Sequence, residues 1–157
     1  MSEAITFHLA TASDLGPIHG LLLAQFREHE IELPGGQLRQ AIAAMFDDDG
    51  LGFFLVARDG GRDGDEAVGL AAVSFAWTLE HAGRSAWLDE LYVLPARRGQ
   101  GIGTGLLREA VRQARASGCA AIDLEVDRDH RRAEALYRRE GFFPLPRSRW
   151  VRPLGGT

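Results

Sequence analysis

The sequence contains no lysine, and all 18 of its basic residues are arginines. A P-loop nucleotide site needs a lysine on the β- and γ-phosphates, and Schiff-base catalysis needs a lysine amine, so both chemistries are excluded. The one cysteine, Cys119, can form neither an internal disulfide nor a structural zinc cluster. The longest uncharged apolar stretch, Val68 to Leu79, is far shorter than the ~20 residues of a membrane-spanning helix.

The remaining composition is typical of a globular protein. Of the 157 residues, 45% are hydrophobic and 25% are charged, which predicts a single domain over residues 1–157. The amino terminus has Glu3 where a secretory signal carries positive charge, and no apolar segment follows it. We therefore expect a cytoplasmic protein that binds neither a membrane nor nucleic acid.

The charges are divided unevenly along the chain. Up to Val93 there are 5 arginines against 15 acidic residues, a net charge of -10. From Leu94 onward there are 13 arginines against 7 acidic residues, a net charge of +6. The basic half can hold an anionic cofactor, and the acidic half favours a cationic substrate. The sign of the charges alone leaves open that arginine only keeps the protein in solution.

The spacing of apolar residues predicts the order of the secondary-structure elements. Strands are expected at residues 5–9, 53–58, 67–79, 86–94, 121–126 and 142–151. Helices are expected at about 14–26, 37–46, 102–117 and 130–140. The order βααβββαβαβ predicts the α/β class, with a mixed sheet flanked by helices.

A glycine-rich segment lies between the 86–94 strand and the helix that follows it. It reads Arg97-Arg98-Gly99-Gln100-Gly101-Ile102-Gly103-Thr104-Gly105. Glycines let backbone N–H groups converge on an anion at the positive end of a helix, so this segment suits a pyrophosphate. The dinucleotide fingerprint G-x-G-x-x-G fails in every register, because Thr104 or Leu106 occupies the position of the last glycine.

Three motifs resemble those of the GNAT acetyltransferase superfamily. The loop Arg98-Gly99-Gln100-Gly101-Ile102-Gly103 matches the pattern R/Q-x-x-G-x-G/A, and Leu91-Tyr92-Val93-Leu94-Pro95 resembles the strand that precedes it. Ala133-Glu134-Ala135-Leu136-Tyr137, with Gly141-Phe142, is similar to the segment A-x-x-L-Y-x-x-x-G-F. The resemblance, which covers residues 87–142, implies an N-acetyltransferase that binds acetyl-coenzyme A (acetyl-CoA) between two strands that splay apart.

The resemblance also implies which residues bind acetyl-CoA. Pantetheine carries two amides and would pair with the strand edge at Leu91–Val93, and the Val93 N–H would polarise the thioester carbonyl. The pyrophosphate would lie on the loop amides, and His130 stands where the family commonly has asparagine. The expected cofactor-binding residues are Leu91, Tyr92, Val93, Arg98, Gly99, Gln100, Gly101, Ile102, Gly103, Thr104 and His130.

Two proton transfers need side chains. In the family, the tyrosine that matches Tyr137 protonates the leaving thiolate, and Tyr137 lies two helical turns after His130. An amine acceptor arrives as ammonium and needs a base, for which Asp89 and Glu90 are the candidates. Neighbouring strand residues point to opposite faces, so only one of them can face the substrate. We favour Glu90, and a bulge at this point would reverse the choice.

The acceptor is expected near the segment that joins the first two helices. Glu28, Glu30 and Glu32 precede the breaker Pro34-Gly35-Gly36 and would attract a cationic amine, and Trp87 is a candidate pocket wall or core residue. We therefore predict direct acetyl transfer to a small cationic amine in a ternary complex, without a metal. Acetylation of a peptide or protein amine and a non-catalytic acyl-CoA-binding module are the alternatives, and a homodimer is left open.

Overall fold

The computed structural model describes residues 5–32, 36–60 and 66–155. Its strands are β1 (Ile5–Leu9), β2 (Gly52–Asp59), β3 (Glu66–Thr78), β4 (Gly83–Val93) and β5 (Ile122–Asp123). Its helices are α1 (Leu15–Glu28), α2 (Gln37–Asp47), α3 (Ile102–Ala116) and α4 (Arg131–Arg139). No helix within these ranges is long and apolar enough to span a membrane.

The five strands form one mixed sheet in the order β1-β2-β3-β4-β5. The strands β1 to β4 pair antiparallel with their neighbours, and β5 pairs parallel with β4. The predicted α/β class, with a mixed sheet flanked by helices, is therefore confirmed. The predicted order of elements agrees with the structure as far as α4.

Helices cover both faces of the sheet. On one face, α1 and α2 enclose a cluster of buried side chains: Ile18, Leu21, Leu22, Ile42, Phe54, Val56, Leu70, Ala72 and Tyr92. On the other face, α3 packs against Phe7, Gly69 and Val93. A Cβ at Gly105 of α3 would lie only 2.2 Å from the Phe7 ring, so this glycine permits the close packing of α3 on β1.

The strand β4 contains a β-bulge at Asp89. In the pairing with β3, Leu88 lies opposite Val73. The next paired residue is Glu90, opposite Ala72, so Asp89 has no counterpart in β3. Residues that pair across two strands share a face of the sheet, and Ala72 belongs to the cluster beneath α1 and α2. The bulge therefore turns Glu90 toward α1 and α2, whereas Leu88 belongs to the α3 face.

The start of α1 is held against the sheet by a buried carboxylate. Asp14 is 6% exposed and accepts hydrogen bonds from the Arg58 guanidinium at 2.5 Å and from the Thr11 N–H at 2.9 Å. The His8 ring lies 3.6 Å from the same carboxylate. Asp14 thus connects the first turn before α1 to both β1 and β2.

The chain divides into two compact units, residues 1–125 and 126–157. The second unit contains α4, in which Arg138 and Glu134 form an ion pair at 2.9 Å. Where the sequence predicts a strand at residues 142–151, the structure has none in the described residues 140–155. Pro144 and Pro146 have no N–H to donate to a neighbouring strand, which explains the difference. That residues 1–157 form one domain stays a prediction.

Candidate active site

The strands β4 and β5 pair over two residues and then separate. Ala86 lies beside Ile122 and Trp87 beside Asp123, and β5 ends at that point. The strand predicted at residues 121–126 is therefore much shorter than expected. Beyond Trp87, β4 continues to Val93 without β5 beside it. We call this side of residues 88–93 the open edge.

Val93 directs its backbone groups toward the open edge. The Leu94 N–H donates to the Val68 carbonyl at 2.9 Å, so the backbone of Leu94 faces β3. Backbone groups alternate sides along a strand, which turns those of Val93 and Leu91 away from β3. The Arg98 Nε donates to the Val93 carbonyl at 3.0 Å, in agreement with this orientation. A ligand at the open edge would therefore meet the Val93 N–H.

Two glycines of the loop adopt left-handed backbone conformations. Gly99 has a φ of 79° and Gly101 a φ of 81°, values that favour glycine. Gly101 is the residue before α3, so the loop amides lie at the positive end of that helix. A Cβ at Gly103 would lie 3.8 Å from the Val93 Cγ2, an ordinary contact, so the backbone does not require glycine there.

The loop has the chemistry that the pyrophosphate of acetyl-CoA needs. Backbone amides between Gly99 and Thr104 lie where the helix dipole favours an anion. Ile102 is 2% exposed, so its side chain packs in the core on the buried face of α3. Gln100 and Thr104 stay predicted cofactor-binding residues. The loop amides and the open edge together fit a pyrophosphate with an extended amide-bearing arm.

Arg98 connects the loop to α1 and β4. Its guanidinium donates to the Glu28 carboxylate at 2.7 Å and lies over the Tyr92 ring, 5.5 Å from the ring centre. The hydrogen bond from Arg98 holds the pKa of Glu28 below its usual value, while burial raises the pKa of Tyr92. The Tyr92 backbone groups face β3, and the residue is 5% exposed. Tyr92 therefore belongs to the core under α1 and α2 and does not face the open edge.

Glu90 is a half-buried carboxyl group on the face of β4 toward α1. Burial raises its pKa, and the negative charges of Asp89 and Glu125 raise it further. A hydrogen bond from the Gln25 side chain of α1 lowers the pKa, and the resulting value is about 7. Such a group changes protonation state near neutral pH, as a general base should.

The bulge also gives different positions to the two carboxylates that the sequence offers as candidates for the base. Trp87 lies opposite Ser74, so it shares the α1 face of the sheet with Glu90. Asp89 lies in the bulge and is exposed. From the sequence, a bulge is expected to favour Asp89; in the structure it turns Glu90 toward α1 instead.

The three glutamates predicted to attract the acceptor have different surroundings. Glu28 is paired with Arg98, so its charge is largely neutralised. Glu30 and Glu32 are exposed residues after the end of α1, and Glu30 has a φ of 55°. The breaker residues Pro34 and Gly35 lie outside the described residues. Glu28 is therefore held in an ion pair, whereas Glu30 and Glu32 are exposed.

In the second unit, α4 carries the two remaining predicted site residues. The His130 Nδ1 accepts a hydrogen bond from the Ala133 N–H at 3.2 Å and so caps the helix. A ring nitrogen that accepts carries no proton, so the ring donor is Nε2. Tyr137 is half-buried and packs edge-on against Phe142, with 5.8 Å between ring centres. Their roles toward acetyl-CoA stay predictions.

Gln25 is a residue near Glu90 that the sequence analysis does not single out. It is 8% exposed and lies on the buried face of α1. The apolar residues Ile18, Leu21 and Leu22 precede it at helical spacing, and Gln25 takes the next position of this face. A polar residue at the end of an otherwise apolar helix face is the signal that could have identified it.

Sequence comparisons agree on one family. Residues 18–142 match the family described as the acetyltransferase (GNAT) family. An aminoalkylphosphonate N-acetyltransferase from Salmonella typhimurium is 32% identical over 133 residues, which cover 85% of this chain and 81% of that protein. A thialysine N-epsilon-acetyltransferase from Mus musculus is 31% identical over 142 residues, which cover 82% of this chain and 78% of that protein.

Solved structures show the same fold. An aminoglycoside N-acetyltransferase in complex with CoA has a TM-score of 0.80 and 17% identity, covering 99% of this chain and 98% of that one. An integron cassette protein from the metagenome of a salt marsh has a TM-score of 0.83 and 22% identity, covering 96% of this chain and 91% of that one. At these identities the likeness concerns the fold alone.

Proposed function

The chain belongs to the acetyltransferase (GNAT) family and is an acetyl-CoA-dependent N-acetyltransferase; we propose that it acetylates a small cationic amine directly, with Glu90 as the base. The observation that carries the proposal is a half-buried carboxyl group on the face of β4 toward α1, where burial raises its pKa to about 7. It lies three residues before Val93, whose N–H faces the open edge.

Acetyl-CoA supplies an activated acetyl group as a thioester. The amides from Gly99 to Thr104 would hold its pyrophosphate, and the open edge would bind its pantetheine arm as an additional strand. The Val93 N–H would polarise the thioester carbonyl, a kind of contribution worth about 2.7–4 kcal/mol per donor in acyl-transfer enzymes. Arg98 donates to the Val93 carbonyl, which belongs to the next peptide group along the chain and faces the same edge.

Glu90 would prepare the acceptor for attack. A primary amine is an ammonium near neutral pH and has no lone pair to offer. An N–H bond of the ammonium breaks, an O–H bond forms on Glu90, and the released lone pair attacks the acetyl carbon. The C–S bond then breaks to release the thiolate, and the nitrogen gives up its second proton to solvent as the amide forms. With a pKa of about 7, Glu90 is about half ionised at neutral pH and can accept this proton. Activity should therefore rise with pH and level off above that pKa.

Tyr137 would protonate the leaving thiolate, the role that the resemblance implies for it. A phenol with its usual pKa of about 10 can donate to a thiolate whose conjugate acid has a pKa of about 8.5. The substitution Tyr137→Phe removes only the hydroxyl group and should lower kcat about 100-fold at unchanged acetyl-CoA affinity. Equal turnover of the two proteins would exclude this role.

Negative charge around Glu90 supports a cationic acceptor. Asp89 and Glu125 both act on the Glu90 carboxyl group, and Glu30 and Glu32 add exposed charge after α1. A second candidate is an amine that carries a phosphonate group. It is favoured by the name of the Salmonella typhimurium relative, an aminoalkylphosphonate N-acetyltransferase that is 32% identical to this chain.

A panel of amines with thiol release as the readout tests these candidates. It would contain 1,4-diaminobutane, propylamine, aminomethylphosphonate and a short peptide with a free amino terminus. We expect the largest kcat/KM for the diamine, with a decrease as salt is added. A larger value for aminomethylphosphonate would favour the second candidate, and a larger value for the peptide would favour peptide acetylation. Binding of acetyl-CoA by calorimetry without turnover of any amine would indicate a non-catalytic module.

A further inference from the structure

The buried Gln25 side chain uses only one half of its amide. Gln25 lies on the buried face of α1, and Glu90 lies on the face of β4 that α1 covers. The Gln25 side chain lowers the pKa of Glu90 by a hydrogen bond, which its N–H group donates because an ionised carboxylate can only accept. Its other half, Oε1, is buried and has no hydrogen-bond partner among the described residues. Because Oε1 and Nε2 share one carbon atom, the unpartnered oxygen lies within a few ångströms of Glu90.

An unpartnered carbonyl oxygen in a buried position costs free energy, so its presence calls for a reason. A leucine or methionine at position 25 would continue the apolar face of α1 without this cost. The Oε1 atom is also closed to solvent, which argues against a direct contact with a diffusing acceptor. The group it can reach is the one that Gln25 already contacts, Glu90.

A general base in a half-buried site needs a hydrogen-bond partner both when it is ionised and when it is protonated. Ionised Glu90 accepts hydrogen bonds, whereas the protonated group carries an O–H that must donate. The charges acting on it are negative, Asp89 on β4 and Glu125 after β5. Arg98 lies over the Tyr92 ring and is paired with Glu28. A glutamine amide contains a donor and an acceptor and can serve both states.

We propose that Gln25 is the positioning residue for Glu90 and turns its amide when Glu90 takes up the acceptor's proton. Before the transfer, the amide N–H holds the carboxylate; afterwards, Oε1 accepts the hydrogen bond of the new O–H group. The terminal amide torsion of glutamine has a broad, roughly twofold energy profile, so a half-turn needs no rearrangement of α1. This inference rests on the proposed role of Glu90 and assigns Gln25 no contact with the acceptor.

The test compares Gln25→Met, which keeps the length of the side chain, with the exposed matched control Gln40→Met on α2. Loss of the donor removes a bond to the ionised form, so the midpoint of the acidic limb of the pH–kcat profile should rise by about 0.5–1 unit. At the pH plateau, kcat should fall about tenfold, while KM for 1,4-diaminobutane stays within about twofold. The melting temperature should not fall, because an unpartnered buried oxygen is removed.

Infrared spectroscopy supplies a signature that a purely structural role would not change. The carbonyl band of protonated Glu90 is identified as the band that disappears in Glu90→Gln, and it should move to higher frequency in Gln25→Met. Gln25→Leu provides the same comparison should the methionine variant not fold.

The possible outcomes separate the two proposals. If the midpoint, kcat and the carbonyl band match those of Gln40→Met, the inference on Gln25 is wrong while Glu90 remains the base. A tenfold loss of kcat with a lower melting temperature and an unchanged midpoint would show a structural role and also overturn the inference. If Glu90→Gln itself keeps the acidic limb, the proposed base is wrong.

Discussion

The pKa values of two carboxyl groups, the buried Asp14 and the half-buried Glu90, are shifted in opposite directions. Burial raises the pKa of Asp14, but hydrogen bonds from Thr11 and Arg58 and the charges of Arg58 and His8 outweigh it, so its pKa lies below the usual value. Burial also raises the pKa of Glu90, and there the neighbouring charges have the same sign as its own, so its pKa is about 7. Burial alone therefore does not determine the direction in which the pKa of a carboxyl group is shifted.

The difference lies in the residues supplied by distant parts of the chain. β2 places the Arg58 guanidinium beside Asp14, and the Arg58 side chain is only 15% exposed. Around Glu90, β4 supplies Asp89, the segment after β5 supplies Glu125, and α1 supplies the neutral amide of Gln25. A carboxylate with a buried cationic partner stays ionised and stabilises the fold, whereas one among other acids exchanges its proton near neutral pH.

The largest expected effect is on catalysis. Glu90→Gln keeps the shape of the side chain but removes the base, so kcat/KM should fall about 10²–10³-fold and lose its dependence on the Glu90 ionisation. Steady-state thiol release between pH 5.5 and 9 measures both. Asp14→Asn is the matched control, because it neutralises the other buried acid, and its kcat/KM should change less than about twofold. Comparable losses in the two variants would abolish the distinction between these acids.

The second prediction concerns stability, for which Asp14 is expected to matter more than Glu90. Asp14→Asn removes the negative charge that pairs with the Arg58 guanidinium, and breaking a buried pair in this way costs about 3 kcal/mol in the free energy of unfolding. For a protein of this size the melting temperature should fall by about 6–12 °C. Thermal and urea unfolding measure the change, with the exposed Asp47→Asn as the control. A loss no larger than that of the control would show that the pair is not stabilising.

The third prediction uses the pH dependence of stability. Glu90 has a pKa of about 7 when folded and close to its usual value of 4.5 when unfolded, so only the unfolded chain loses this proton between those values. The contribution of Glu90 to stability should therefore decline as pH rises through this window, by on the order of 1–3 kcal/mol. Asp14, whose pKa is lowered, stabilises above its usual value of 3.8 and loses that contribution as pH falls below it.

Urea unfolding at pH 4.5, 6 and 8 tests this dependence. The stability of Glu90→Gln relative to the unsubstituted protein should increase across that series, because glutamine does not ionise. A constant difference between the two proteins would mean that the folded-state pKa of Glu90 is not raised.

The smallest effect is expected from the exposed acidic residues after α1, Glu30 and Glu32. The double substitution Glu30→Gln and Glu32→Gln should lower kcat/KM for 1,4-diaminobutane about threefold at low salt, because exposed charges contribute little each. The difference should vanish at about 0.5 M salt, where screening is strong. Glu28 is left unchanged because it holds Arg98. An unchanged acceptor preference at low salt would show that these two residues form only a solvated surface.

Much of the fold and the cofactor loop could be predicted from the sequence. The alternation of Ile5, Phe7 and Leu9 and the helical spacing of α1 and α3 are local patterns, and the strands and helices they predict are present. The predicted length of β5 was wrong, because pairing with a neighbouring strand determines how far a strand extends and periodicity does not reveal that pairing. Apolar and polar residues alternate throughout residues 121–126, yet β5 contains only two residues because its pairing with β4 ends at Trp87.

The sequence by itself determined the α/β class, the position of the glycine loop before a helix, and the exclusion of lysine chemistry, because these depend on residue identity and local spacing. Only the tertiary structure decided how the pKa of each candidate carboxyl group is shifted. At Glu90, the neighbouring Asp89 of the bulge meets the amide of Gln25 on α1 and the charge of Glu125 after β5, which come from distant parts of the chain. A pKa depends on what surrounds a group in space, and those surroundings exist only after the chain has folded.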